Sequence, residues 1–356
     1  MSLKHGLWVV VGMLVALPAS ARSPAGEPPR GLLVDETFVS TVLQDNRIGL
    51  NPTRATKVLL PPGYSKSTRR YPVVYLLHNA WSNPRQVFED GRVQRLIERA
   101  FADSLVEEFI LVAADYSGPT TGSLYENSPV SGRWLDYTVQ EVVPLIDARY
   151  RTLARRESRA VIGSFFGGRG ALKLAMSKAD VFSVAYAMHP VATGTGDTPW
   201  ASLEIDWPRM YAAKTYAELG GLGRTQIFWA IHQAFSPNLA NAPCYCDFYA
   251  VMKDGKPVYD GDRAHAMQKA FHLDESLAES AAALRTMRGL AFDWGRFDTT
   301  LAHVTSNREF SRKLEDLGIE HEAEEYRGDP SNRTWTDDGR FATRVLPFLE
   351  KHLAWR

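Results

Sequence analysis

A chain of 356 residues, 45% of them hydrophobic, can bury a large core, and its length allows one large domain or two small ones. Its 41 Lys and Arg residues balance 41 Asp and Glu, so charge implies neither nucleic acid nor an anionic membrane surface as a partner. No segment repeats at a fixed period, which excludes solenoids and propellers.

The first residues read as an address rather than as structure. Lys4 and His5 make a short basic start, Gly6 to Leu17 is an apolar run too short to span a bilayer, and Ala19-Ser20-Ala21 offers small residues for signal peptidase. We read residues 1–21 as a cleaved export signal and 22–35 as a Pro/Gly-rich linker. The mature protein is then expected to be periplasmic or secreted, with no membrane span after cleavage.

From residue 36 onward, strands and helices alternate. Glu36–Leu43 alternates well enough for an added antiparallel strand. Val73–Leu77, Phe109–Ala114, Ala160–Gly163, Val184–Met188 and Leu290–Asp293 are short, nearly continuous apolar runs, as strands buried on both faces of a parallel sheet must be. Val93, Leu96, Ile97, Ala100 and Phe101 recur at helical spacing, as do Leu135, Val139, Val142, Val143, Ile146 and Tyr150, where Pro144 predicts a kink. Ser306-Asn-Arg-Glu309 has the form of a capping box, predicting a helix that starts there and stops at Gly318. His321–Tyr326 predicts a polar strand near an edge, and a last helix carries Phe341, Val345 and Leu349, with a kink expected at Pro347. The order predicts one α/β domain over 36–356, a three-layer sandwich with a mostly parallel sheet.

Residues 191–271 break the rhythm with Gly, Thr, Pro and aromatic side chains, and predict a cap-like insertion above the C-terminal ends of the strands. The two cysteines, Cys244 and Cys246, fall within it. Alternate residues of an extended segment face opposite ways, so they are expected to be packed thiols, neither a disulfide nor a metal site.

Several phrases in chain order carry a resemblance: "VLLPPGYSKSTRRYPVVYLLHNAW", "SGRWLDYTVQEVVPLIDARYRT", "AVIGSFFGGRGALKLA", "AFSPN" and "LEDLGIEHEAEEYRGD…RFATRVLPFL". Together they resemble the putative-esterase family of the α/β-hydrolase fold, which includes esterase D, enterochelin esterases, feruloyl esterases and bacterial mycolyltransferases. In that fold the nucleophile stands in Gly-x-Ser-x-Gly, where a strand turns sharply into a helix. Laid on Gly163-Ser164-Phe165-Phe166-Gly167-Gly168, the pattern puts Phe165 at the nucleophile position, and a phenyl ring has no lone pair with which to attack a carbonyl. Ser164, one residue early, points to the opposite side of the strand.

The resemblance also implies an acid after Leu290–Asp293, which falls on Asp298, with Asp293 as the weaker substitute. It implies a histidine after the last strand, and that position falls on Pro330, which can neither take nor give a proton. His321 and His352 stand too far away in the chain to serve. Two backbone N–H groups would form an oxyanion hole, that of Phe166 and one in the loop at His78 and Asn79, where the family places glycine in Asn79's position. Around the implied pocket we place His78, Asn79, Trp81, Tyr116, Phe166 and His189, the last at a strand's C-terminal end where α/β sheets bind ligands. His189 with Asp329, Asp298 and His78 is a candidate for a new acid–base or metal cluster.

The sequence thus predicts an exported esterase-like fold that has lost hydrolysis and retains a pocket for a small molecule, an acyl, aromatic or sugar ester. No cofactor and no metal is expected. The rival expectation is a working ester hydrolase or acyltransferase with a non-standard site.

Overall fold

The structure is a computed structural model that describes residues 28–119, 121–196, 203–331 and 333–356. The expected export signal and residues 22–27 of the expected linker lie outside the described residues, and residues 32–35, expected as linker, are already strand.

Strand β1 (Leu32–Val39) pairs antiparallel with β2 (Thr53–Leu60). Next come β3 (Val73–Leu77), helices α1 (Pro84–Phe88) and α2 (Arg92–Ala102), and β4 (Ile110–Ala114). A two-residue ladder of β5 (Asn127–Ser128) and β6 (Gly132–Arg133) precedes α3 (Trp134–Asp136), a π-helical segment Tyr137–Val142 and α4 (Val143–Arg149). Then follow β7 (Arg159–Ser164), α5 (Phe166–Ser177) and β8 (Val184–Met188). The excursion beyond β8 holds α6 (Trp207–Ala212), α7 (Arg224–Phe235), a hairpin of β9 (Ala250–Lys253) and β10 (Lys256–Tyr259), and α8 (Gly261–Phe271). The chain closes with α9 (Leu277–Leu284), β11 (Gly289–Gly295), α10 (Leu301–Asp316), β12 (Glu322–Tyr326), a second π-helical segment Phe341–Val345 and α11 (Leu346–His352).

Eight strands form one sheet in the order β1-β2-β4-β3-β7-β8-β11-β12, antiparallel across β1, β2 and β4 and parallel from β4 to β12. Alternation along β3 shows how the layers are made. Val73, Tyr75 and Leu77 join a core with α4, α5, α9 and α10, whereas Val74 and Leu76 face the core of α2 and α11. Both faces are covered, which is why the parallel strands read as unbroken apolar runs.

Pro144 and Pro347 do not end their helices. Each lies in the first turn of an α-helix that follows a π turn, in which Val143 N–H reaches Thr138 O and Leu346 N–H reaches Phe341 O. The widened turn keeps the pyrrolidine ring off the carbonyl it would strike in an unbroken α-helix.

Two local expectations are corrected. The helix at Ser306 starts earlier, at Leu301, with Thr300 as its cap residue, so Ser306 is an interior position whose buried hydroxyl meets Thr193 Oγ1 at 3.1 Å. A capping-box pattern within an already running helix has no free N–H groups to satisfy. Cys244 and Cys246 form a disulfide, with Cα atoms 5.3 Å apart. The segment is not extended: Tyr245 adopts φ = 57°, and that left-handed turn swings both sulfurs to one side. Residues 203–271 carry helices and a hairpin. Helix α7 buries nine of its twelve residues and therefore carries no polar stripe to reveal its period. Trp207, Phe228, Trp229, Phe248, Tyr249 and Phe271 knit this excursion into its own apolar cluster.

Two predictions follow from packing. A Cβ on Gly167 would sit 2.1 Å from Leu77 O, so Gly167→Ala should lose about 3 kcal/mol of stability or fail to fold, as read by denaturant unfolding. Thiol titration of the denatured, unreduced protein should find no free cysteine, and two after reduction.

Candidate functional site

The site is built where β7 turns into α5. Phe165 lies between the two elements with φ = 52° and ψ = −117°, a conformation that costs a non-glycine residue about 1–3 kcal/mol. Phe165 N–H donates to Met188 O at 3.1 Å, and Phe165 O accepts from Arg169 N–H at 2.9 Å, so both sides of the bend are pinned. The flanking glycines make it possible. A Cβ on Gly163 would come within 2.4 Å of Gly167, so strand and helix touch backbone to backbone.

The Phe165 ring packs on the His189 ring, centroids 5.2 Å apart. His189 is buried at the end of β8, and its two nitrogens are both engaged. Gly295 N–H donates to Nδ1 at 3.0 Å, so Nε2 carries the proton and donates it to Asp298 Oδ2 at 2.8 Å. Burial holds His189 down at about 4, outweighing the attraction of Asp298, which agrees with a neutral ring whose Nδ1 accepts a hydrogen bond.

Asp298 has a second imidazole partner that sequence reasoning did not find. His303 Nδ1 donates to the same Oδ2 at 2.8 Å, while Oδ1 accepts from Thr300 N–H at 2.8 Å. Burial opposes the charge on Asp298, but the hydrogen bonds from His303, Thr300 and His189 outweigh it and set the carboxyl at about 2. His303 stands in the first turn of α10, so the Asp298 loop and the helix it leads into close on each other. The available signal was a histidine five residues after an Asp-Thr-Thr turn.

The three side chains present ligand atoms within 4.8 Å of one another, a spacing compatible with a cation. The hydrogen bonds argue against it. Both imidazole N–H groups point at one carboxylate oxygen, and freeing His189 Nε2 for a metal would move its proton to Nδ1, against the Gly295 N–H.

Other sequence-selected residues divide between two cavities and the core. Trp81 and Phe166 line, together with the unforeseen His303, a cavity of about 540 Å³ beneath the excursion, with Phe228, Ile231, Phe271 and Arg224 among the other walls. His78, Asn79 and Phe165 line a separate cavity of about 290 Å³, closed in part by Ser331 and Trp335, and Ser164, expected on the opposite side of the strand, borders the same cavity because the chain bends directly after it. His78 donates from Nδ1 to Asn79 O and accepts Tyr116 N–H on Nε2 at 2.9 Å, so backbone groups satisfy both nitrogens. Asn79 Oδ1 takes the neighbouring Ala80 N–H at 2.7 Å.

Tyr116 lines neither of these two cavities. It is buried against Tyr125, Trp134 and Tyr137 and hydrogen-bonded to Thr138. Asp293 belongs to another network, where its Oδ2 accepts from Tyr186 Oη at 2.8 Å and Arg340 Nε at 3.0 Å. Pro330 lies in the loop that packs on Gly295, where an added Cβ would come within 2.9 Å of its nitrogen.

The sequence profile described as "Putative esterase" matches residues 49–338, most of the chain. The chain belongs to this family. An esterase of Mycobacterium tuberculosis is 25% identical over 290 residues, which make up 80% of this chain and 54% of the relative, so the chain spans about half the length of that protein. An endo-1,4-beta-xylanase/feruloyl esterase of Xylanibacter ruminicola is 25% identical over 138 residues, 36% of this chain and 18% of the relative. Among solved structures, a ferulic acid esterase superposes with a TM-score of 0.61 at 20% identity, covering 91% of this chain and 99% of the other. An S-formylglutathione hydrolase from Agrobacterium tumefaciens gives 0.57 at 15% identity, covering 92% and 97%. These likenesses establish the α/β-hydrolase fold.

The buried imidazoles fix the acid limb of stability. His189 and His232, both held at about 4, and His272, held at about 3 by burial and the nearby cations Arg169 and Lys313, take protons in the unfolded chain first. Stability should therefore fall as the pH drops from 6.5 towards 4. It should fall again between about 4 and 2 as Asp298 is protonated. In His189→Asn, whose side chain tolerates the φ of 44° at this position, the first fall should be shallower by about one proton in a denaturant series against pH.

Proposed function

We propose that the protein is an exported, ligand-binding member of the esterase family that has given up hydrolysis through an acyl-serine. The observation that carries this reading is Phe165 on the strained bend where the resemblance puts the nucleophile. A phenyl ring cannot attack a carbonyl, and the imidazole against it has both nitrogens committed. Pro330, at the position the resemblance assigns to the base, cannot carry a proton, and Asn79 Oδ1 occupies an N–H of the implied oxyanion loop. What remains is a largely apolar cavity of about 540 Å³, a size that suits a small organic ligand.

Residues 36–356 act in this reading as one domain with an insertion at 191–271, whose aromatic cluster roofs the cavity. Ferulic acid esterases among the structural neighbours include one solved with ferulic acid. We extend that to an acyl, aromatic or sugar-containing small molecule here. Export rests on the pattern at residues 1–21, and the Cys244–Cys246 disulfide fits an oxidising compartment. Among the described residues no helix is long and apolar enough to cross a membrane.

A second reading has one observation in its favour. Asp298 holds His303 by Nδ1, which leaves Nε2 towards the larger cavity, the arrangement of a general base that could drive water onto an ester without a covalent intermediate. Its relatives' names as esterases agree with it.

A fluorophosphonate probe and p-nitrophenyl acetate separate the two. The first reading expects no labelled serine and no turnover above background in the wild type, and gain of both in Phe165→Ser/Pro330→His. Turnover without labelling that disappears in His303→Gln would establish the second. A labelled serine in the wild type would overturn the first outright.

A further inference from the structure

Among the described residues lining the larger cavity none is acidic, and its charged or ionisable side chains are Arg224, His272 and His303. Carboxylates do approach it from behind, but each is already answered. Asp298 takes N–H groups from His189 and His303, and Asp274, under Gly194, is paired with Lys313 Nζ at 2.6 Å. The buried Arg169, close behind Phe271, is spent on Leu124 O, Phe271 O and Glu126. His272 is kept neutral by burial at ordinary pH. Arg224 alone of the lining cations has no ion pair among the described residues. It stands exposed at the start of α7, beside walls made by Phe166, Phe228, Ile231 and Phe271.

We propose that this cavity receives an amphipathic organic carboxylate, with its apolar body against those four side chains and its anionic head paired with the Arg224 guanidinium. The inference rests on the non-hydrolytic reading, because a pocket that retains a free acid differs from one that must bind and release an ester. Electrostatics supplies the discrimination. A methyl ester or an amide of the same acid has the same apolar body but no charge for Arg224, and it gains only what burial offers. His303 Nε2, with no protein partner among the described residues, is the second polar contact on the wall.

Calorimetric titration of the purified protein with octanoate and 3-phenylpropanoate, and with the methyl ester and amide of each, tests this. At least one acid should bind about tenfold more tightly than its ester and amide, and that preference should weaken as salt is raised. Arg224→Gln should remove the preference while leaving ester affinity unchanged, and Arg224→Lys should keep part of it. His303→Gln should weaken the acid by a smaller factor. The inference is overturned if the uncharged forms bind as tightly as the acids, if Arg224→Gln leaves the acid unaffected, or if neither acid binds at low-millimolar concentration. Turnover of the methyl esters overturns instead the non-hydrolytic reading beneath it, and the two failures are told apart by assaying product in the same titration cell.

Discussion

The rest of the molecule depends on one contact, the backbone of Gly163 against the backbone of Gly167. A strand ends and a helix begins within one residue there, with no room for a Cβ on either glycine. The residue between them is forced into a left-handed conformation and must present its side chain above the sheet. The strain persists although the side chain is a phenyl ring, because the β7 ladder on one side and the first turn of α5 on the other determine the bend. The same turn sets Phe166 towards the larger cavity and Phe165 towards the smaller one, and it brings the aromatic face of Phe165 onto His189.

A second constraint acts on charge. The C-terminal end of β11 buries two carboxylates, and the chain answers each differently. Asp293 meets a phenol and the Arg340 guanidinium, which also pairs with Glu324, so that ion network ties α11's approach to the edge strand β12. Asp298 meets two imidazoles from two different elements. An anion taken from water must find hydrogen bonds or lose its charge, and the loop after β11 is short enough that Asp298 finds its partners at once in His189 and His303. The consequence is a polar knot between bend and cavity, in which, among the described residues, the one ring nitrogen without a protein partner belongs to His303.

The excursion between β8 and β11 makes the cavity. Helix α7 and the segment around Phe271 place aromatic side chains on the cavity with Phe166, while both cysteines of the disulfide and Ala250 of the hairpin pack in the same apolar cluster. The Asp254-Gly255 turn of that hairpin, with both residues at positive φ, is ordered as a tight two-residue connection.

Much of the framework was legible in the residues themselves. Val73–Leu77 and Val184–Met188 appear as strands with the boundaries their apolar runs mark, because a strand covered on both faces can hold little else. The glycines around Phe165 announced a sharp turn, since no other residue fits there. Local pattern failed where the deciding partner lies far along the chain. Cys244 and Cys246 meet because Tyr245 turns left-handed inside the excursion, α7 hides its period by burying most of its circumference, and His303 matters only because α10 is capped at Thr300, ahead of the Ser306 its capping pattern suggests. Sequence by itself determined which residues could be strand, turn and core, because those choices are made by side-chain size and backbone freedom at each position. Only the tertiary structure decided which imidazole shares a carboxylate and which walls face a common void, because such neighbours are set by how distant elements pack and not by their spacing along the chain.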